Sequence, residues 1–221
     1  MYKIISNIDR PNKKIIREFS KLATPDICSA MDNKNALDPS IRPVYKGAKL
    51  CGPAITVRTA PGDNLFCHKV IEYIKIGDIV VVSTLLETAA GWGEFTSLSA
   101  KMQGASGAVI DGAVTDIKEI EEMKFPVFAK TITPRTTFRE GYGDINITIT
   151  CGGVTVAPGD LIVGDENGVV RVPSSELEEV LSKAKEKESL ENEARKEILE
   201  GKLLPHLSKV DEVLRKKREY R

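Results

Sequence analysis

Glu94 and Asp116 are the residues whose type and spacing best suit chemistry in this sequence. They lie in the stretch GWGEFTSLSAKMQGASGAVIDGAVTDIKE. Glu94 opens a predicted helix, and Asp116 follows the short apolar strand Gly107 to Ile110 at a strand-to-helix turn. Strand ends and helix starts are where α/β proteins place binding and catalytic groups. Two hard oxygen ligands converging there would hold Mg²⁺ or Mn²⁺. A plainer reading stands beside this one. Asp116-Ile-Lys-Glu119 has the spacing of a helix N-cap with its capping-box acid, and Glu94 can simply cap its own helix.

Other chemistries find less to work with. His68 and His206 are the two histidines, and neither sits in a nucleophile motif of the Ser-His-Asp or Cys-His kind. Cys28, Cys51, Cys67 and Cys151 are widely separated and form no C-x-x-C pair, so they read as small buried thiols rather than a zinc site. The 32 basic and 32 acidic residues cancel, which leaves no electrostatic footprint for nucleic acid. No apolar run approaches the roughly 20 residues needed to span a bilayer, and the start of the chain lacks the apolar segment of a signal peptide. A cytoplasmic protein with no membrane partner is the expectation.

The elements that must position the two acids follow from periodicity. Residues 11–23 carry Ile15, Ile16, Phe19 and Leu22 at helical spacing, and Thr24-Pro25 reads as an N-cap and first-turn proline for a helix through Met31. Residues 33–50 read as a loop and 51–59 as a strand. Residues 64–76 read as a helix with Leu65, Val70, Ile71 and Ile74 facing the core. The run IVVVST after Gly77-Asp78 reads as a buried strand. Helix 93–103, strand 107–111, helix 116–123 and strand 125–129 then alternate, which predicts an α/β core with parallel pairs. Short β-rich runs between CGG, APGD and DENG turns predict a more antiparallel section beyond residue 143. Residues 174–200 form a charged amphipathic helix with Leu177, Val180, Leu181 and Ala184 on one face and Gly201 as C-cap, followed by a helix over 207–216. The chain thus divides into a core over 1–173, with N-terminal helices, and a helical extension over 174–221 that packs on the core or on a neighbouring subunit. A faint echo, too short for a repeat, links Ile76-Gly77-Asp78-Ile79-Val80 with Pro158-Gly159-Asp160-Leu161-Ile162-Val163, two turn-then-strand units.

The runs GPAITVRTAPGDN (52–64), GWGE (91–94), GAVIDGAVTD (107–116), FPVFAKTITPR (125–135) and ITCGGVTVAPGDLIVGDENGVVRVP (149–173) resemble the RraA-like family. That family contains 4-hydroxy-4-methyl-2-oxoglutarate/4-carboxy-4-hydroxy-2-oxoadipate aldolases, related oxaloacetate decarboxylases and the regulator of ribonuclease activity A. The resemblance implies a swivelling-type α/β domain with mixed sheets. It also implies a homotrimer or dimer of trimers (a homohexamer), with the active site in a cleft between subunits. It implies a divalent metal, Mg²⁺ or Mn²⁺, and a small 2-oxo acid cleaved by retro-aldol reaction or decarboxylation through a pyruvate enolate. Asp116 maps to the metal-shell aspartate and Glu94 to the acid preceding it. Gly91, Trp92, Gly93 and Glu94 map to the loop whose amides hold the oxo-acid end. Glu191 or Glu193 is the candidate for a further acid donated by the C-terminal helix of an adjacent subunit.

One position departs from the family pattern. Where the aldolase branch has an arginine that pins the substrate carboxylate, this chain has Thr115. A hydroxyl supplies one neutral hydrogen bond where a guanidinium supplies a cationic fork. Losing such a contact to the transition state costs on the order of 3 kcal/mol. A nearby cation (Arg58, Lys69 or Arg135) can stand in, the substrate can lack that carboxylate, or the protein can bind without catalysis as the regulator branch does. Arg58 ends a strand beside the Pro61-Gly62-Asp63 turn, where it serves either as that cation or as a structural partner of Asp63.

Overall fold

The computed structural model describes residues 2–84 and 87–219. In chain order the elements are β1 (Lys3–Ile4), α1 (Lys13–Phe19), α2 (Thr24–Ala30), β2 (Arg42–Pro43), β3 (Leu50–Thr59), α3 (Leu65–Lys69, continued by a 3₁₀ turn over Val70–Tyr73) and β4 (Ile79–Ser83). There follow β5 (Ala90–Trp92), α4 (Glu94–Met102), β6 (Gly107–Val114), α5 (Ile117–Glu122), β7 (Val127–Ile132), β8 (Gly143–Ile145), β9 (Ile149–Cys151) and β10 (Val154–Val156). The chain continues with β11 (Leu161–Asp165), β12 (Gly168–Val172), α6 (Leu177–Leu199), α7 (Leu204–Leu207) and α8 (Val210–Glu219).

The central sheet runs β1-β8-β3-β4-β6-β7-β2. β3, β4, β6 and β7 are parallel to one another, and β5 lies parallel to the last residues of β6. β11 pairs antiparallel with the first half of β3 and forms a hairpin with β12, and β9 and β10 make a separate antiparallel pair. This is the mixed α/β architecture expected, with the parallel pairs and the antiparallel section where the patterns placed them.

β4 shows why the sheet sits at the centre. All five of its residues are buried, and the side chains alternate between faces with the period of two set by the pleat. Val80 and Val82 join Ile55, Val57 and Ile110 against Phe66, Val70, Trp92, Ala100 and Ile120 from the helical side. Ile79 and Val81 join Ala54, Val109 and Phe128 against Leu37, Ile41, Ile149 and Val156 on the other side. Each such side chain contributes about 1.5–3 kcal/mol by leaving water. A third cluster places Leu177, Val180 and Ala184 of α6 against Phe19, Ile27 and the β11–β12 hairpin, so the start of α6 packs on the core of its own chain.

Several elements differ in detail. The N-cap of α2 is Ala23, because Thr24 turns both its amide (2.9 Å) and its hydroxyl (2.7 Å) to Asp165 instead of to its own helix. α3 buries Phe66 and Cys67 and leaves Leu65 exposed, since the α-helix tightens into the 3₁₀ turn and shifts the face that meets the sheet. β5 falls in a segment read as loop, and the last helix begins at Val210, after Lys209 adopts a positive φ of 52°. Among the described residues all four cysteines are free thiols, and burial pushes Cys51 and Cys67 up to about 12, which excludes either as a thiolate nucleophile.

Candidate active site

Glu94 and Asp116 come together at the ends of the parallel strands. Asp116 stands at the exit of β6 with φ 57° and ψ 40°, a left-handed conformation that aspartate tolerates better than most residues. Its carboxylate does not cap α5, the helix it precedes, so the capping-box reading fails. Oδ2 instead accepts the backbone N–H of Glu94 at 3.0 Å, and Oδ1 accepts the Thr115 hydroxyl at 3.1 Å. Asp116 therefore caps the neighbouring α4. That bond uses the Glu94 amide and leaves the Phe95 and Thr96 amides, which lie in the first turn of α4, without an intrahelical acceptor.

Gly93 makes this contact possible. A Cβ there would lie 2.5 Å from Asp116 Oδ2 and 2.8 Å from Thr115 Cγ2. Trp92 is fully buried and donates its indole N–H to Ser97 at 2.7 Å, which fixes the turn from β5 into α4 from beneath. β5 reaches this position because its register on β6 shifts between Ala90 and Trp92, where the Thr115 amide donates to the Trp92 carbonyl.

The cleft has a volume of about 210 Å³. One wall is acidic and built from Gly91, Gly93, Glu94, Thr115 and Asp116, the other from Asn64, His68, Thr136, Thr137 and Arg139, and the two join where the Ala90 amide donates to the Arg135 carbonyl (2.8 Å). Asp63 holds that second wall. It is buried and accepts the amides of Leu65 (2.8 Å), Glu140 (2.6 Å) and Gly141 (2.8 Å), tying the 136–142 loop to the start of α3. Gly141 has no room for a side chain, since a Cβ would lie 2.8 Å from the Asp63 carboxyl carbon. Desolvation and then the Arg139 charge push the His68 imidazole below its ordinary value, against a smaller opposing pull from Asp63. His68 is therefore neutral at pH 7. Its neighbour Cys67 points into the core, so the two make no catalytic pair.

The sequence candidates divide accordingly. Glu94, Asp116, Thr115, Gly91, Trp92 and Gly93 share the cleft. Arg58 does not line it, and its guanidinium pairs with Asp144 (Nε to Oδ2, 2.9 Å) rather than with Asp63, whose carboxylate is taken by backbone amides. Lys69 pairs with Glu72 at 2.6 Å, and Arg135 lies outside the cleft. Glu191 and Glu193 sit on α6 away from the cleft of their own chain. Glu191 faces Asp26 and pairs with Lys187 at 3.2 Å, and burial together with Glu191 and Glu188 raises the Asp26 carboxyl. Asn64, His68 and Arg139 were not expected in the cleft, and of these the run Pro61-Gly62-Asp63-Asn64 was legible as a turn with helix-capping residues.

The donor set suits a hard divalent ion. Two carboxylates line one cleft, and the Glu94 carboxylate has no hydrogen-bond partner among the described residues. Among those residues no group of three or more His, Cys, Asp or Glu side chains converges. Mg²⁺ binds through one or two carboxylates and completes its shell with water and substrate, so two acids are enough. No helix among the described residues is long and apolar enough to cross a membrane.

Known proteins are similar to this chain over most of its length. A protein of Halalkalibacterium halodurans, provisionally named a 4-hydroxy-4-methyl-2-oxoglutarate aldolase, is 37% identical over 190 residues, covering 86% of this chain and 90% of its own. An uncharacterized protein of Methanocaldococcus jannaschii is 40% identical over 190 residues, covering 85% and 88%. The crystal structure of Streptomyces coelicolor RraAS2, described as an unusual member of the RNase ES inhibitor RraA family, superposes with a TM-score of 0.76 at 25% identity, covering 86% of this chain and 99% of that one. The family described as RraA-like, Aldolase/RraA, matches residues 24–171, a span that holds both walls of the cleft, and to that family the chain belongs.

Proposed function

We propose that the protein is a divalent-metal-dependent carbon–carbon lyase acting on a small 2-oxo acid. The observation that carries this reading is the Asp116 carboxylate, turned away from its own helix and toward Glu94 in a shared cleft. Asp116 and Glu94 would hold Mg²⁺ or Mn²⁺. The ion, when bound, supplies Lewis-acid polarisation of the 2-oxo carbonyl.

The chain's own groups set up the rest. The Phe95 and Thr96 amides, at the positive end of α4, suit the carboxylate next to the 2-oxo group. Thr115 acts through Asp116, since its hydroxyl hydrogen goes to that carboxylate and not to substrate. Cleavage sends the C–C bonding electrons toward the 2-oxo carbonyl and leaves the enolate of pyruvate, which is then protonated at carbon. In retro-aldol cleavage the leaving fragment is a second 2-oxo acid, and its 4-hydroxyl proton has two acceptors in the cleft, Glu94 and the neutral His68 imidazole. In oxaloacetate decarboxylation the leaving fragment is CO₂ and no base is required. One site thus serves both reactions.

We take the assembly to be a homotrimer or a dimer of trimers. The exposure of Phe95 (77%), Phe138 (80%) and Met102 (77%), around and beyond the rim of the cleft, supports a neighbouring subunit there. Of the α6 acids, Glu193 is the less committed within its own chain and the better donor to an adjacent cleft.

The test is pyruvate release from oxaloacetate and from 4-hydroxy-4-methyl-2-oxoglutarate with Mg²⁺ or Mn²⁺ and again with EDTA, using the Asp116→Ala protein as blank. Metal-dependent turnover above the blank is expected. The second reading is a non-catalytic binding role. Thr115 favours it, because this residue cannot replace an arginine's charge. Absence of turnover on both substrates would move the assignment to that role.

A further inference from the structure

Thr115 leaves a charge deficit on the acidic wall, and the facing wall carries the charge that answers it. Among the described residues lining the cleft, Arg139 is the one guanidinium, and it makes no hydrogen bond or ion pair. Of the other cations nearby, Arg58 is engaged by Asp144 (2.9 Å) and Lys130 by Asp111 (2.6 Å), and Arg135 does not line the cleft. Arg139 and His68 line the same cleft, and the guanidinium charge helps to lower the imidazole.

Its backbone is held firmly. Besides the Asp63 bonds to the amides of Glu140 and Gly141, the Phe138 amide donates to the Gly62 carbonyl (2.9 Å), and the Asn64 amide donates to the Phe138 carbonyl (3.0 Å). The Ala60 amide donates to the Tyr142 carbonyl (2.8 Å). A loop tied at both ends of the arginine, with the guanidinium itself unpaired, is the construction expected for a pre-positioned anion receptor. The Asn64 Oδ1 beside it is buried without a partner among the described residues, and as an acceptor it offers a place for a ligand hydroxyl or an ordered water, not for the carboxylate itself.

We propose that Arg139 binds the second carboxylate of a dicarboxylic 2-oxo acid, the one remote from the 2-oxo group, and so sets the specificity of the site. The inference rests on the lyase reading for the placement of the 2-oxo end at α4 and the two acids. On that placement the facing wall meets the far end of the substrate. A monocarboxylic 2-oxo acid such as pyruvate reaches only the first wall, whereas a dicarboxylic one spans both.

The experiment compares two stable probes in the presence of Mg²⁺, 2-oxoglutarate and pyruvate, whose dissociation constants are measured by calorimetry for the wild type, Arg139→Gln and Arg139→Lys. The wild type should prefer 2-oxoglutarate. Arg139→Gln should weaken 2-oxoglutarate about 10- to 100-fold, the span of a hydrogen bond to a charged group, while pyruvate changes less than about twofold. Arg139→Lys should retain part of the preference, since an ammonium keeps the charge and loses the fork. Equal loss of both probes, unchanged 2-oxoglutarate binding in Arg139→Gln, or a wild type that does not discriminate would each overturn the inference. The lyase reading fails separately. A wild-type protein that shows this discrimination but releases no pyruvate from oxaloacetate would keep Arg139 as an anion receptor and remove the chemistry.

Discussion

Two aspartates at turns leading into strands, Asp78 and Asp160, and two acids at turns leaving strands, Glu94 and Asp116, are treated in opposite ways. Asp78 precedes β4 and is completely buried. It accepts the Lys75 amide at 2.8 Å and two guanidinium donors from Arg10 at 2.7 and 2.8 Å. Asp160 precedes β11 and repeats the arrangement with the amides of Ala157 (2.8 Å) and Ser174 (3.0 Å) and with Arg171 (2.7 Å). The short sequence echo of Gly77-Asp78 and Gly159-Asp160 is therefore a repeat of one structural device: an aspartate closes its turn and neutralises an arginine. Glu94 and Asp116, at the leaving turns, have no cationic partner among the described residues, and Asp116 is exposed in the single chain. A buried carboxylate that accepts three hydrogen bonds and pairs with an arginine stabilises the fold, whereas one in a cleft with fewer bonds and no cationic partner is available to a ligand.

This contrast can be broken most severely at Asp116. Asp116→Ala should lower metal-dependent turnover by on the order of 10³-fold while the melting temperature falls only by the few degrees that losing the α4 cap costs, about 1 kcal/mol, read by pyruvate release and calorimetry. A large fall in melting temperature with proportionate loss of activity would place Asp116 with the structural aspartates. Asp78→Ala should do the reverse. Removing one partner of a buried pair costs about 3 kcal/mol, or about 6–12 °C in a chain of this size, and turnover per folded molecule should be unaffected. Gly93→Ala sharpens the boundary between the two classes. Its Cβ would collide with Asp116 Oδ2 and Thr115 Cγ2, and displacing the carboxylate by about 1 Å should cost about 10²-fold in turnover with a smaller loss of stability. Equal activity in the alanine variant would show that the Glu94–Asp116 contact is dispensable.

The smallest effect concerns the surface attachment of α6. Lys185 and Lys21 together depress the Glu18 carboxyl from its ordinary value of 4.5 to about 2. A depressed folded value means that the contribution is present above the ordinary value and fades as pH falls toward about 2. The pair is exposed and screened, so melting curves of wild type and Glu18→Gln should differ slightly at pH 6 and converge in acid. A difference that persists in acid would assign the effect to packing.

The acidic wall was readable because its parts are local. Thr115-Asp116 sits where a strand gives way to a helix, and Gly91 to Glu94 leads into a helix whose periodicity is legible although the short β5 before it is not. The basic wall was not. Arg139 lies in TITPRTTFREGYGD, a polar stretch without period, and reaches the cleft through hydrogen bonds of its loop to Asp63 and to the backbone of residues 60–64. Arg58 looked suitable because it ends a strand, but its side chain meets Asp144 across the β3–β8 pairing, a register that no local pattern encodes. The mistaken cap at Asp116 has the same origin. The spacing to Glu119 fits a capping box, but the left-handed backbone at Asp116 goes with a carboxylate directed to α4, where Gly93 leaves room for it.

The most direct test of the contrast between spent and unspent carboxylates is a Mn²⁺ titration followed by electron paramagnetic resonance on wild type, Asp116→Ala and Asp160→Asn. One Mn²⁺ site per chain in the wild type and in Asp160→Asn, lost in Asp116→Ala, is the predicted result. An Asp116→Ala protein that binds Mn²⁺ as the wild type does would contradict the account.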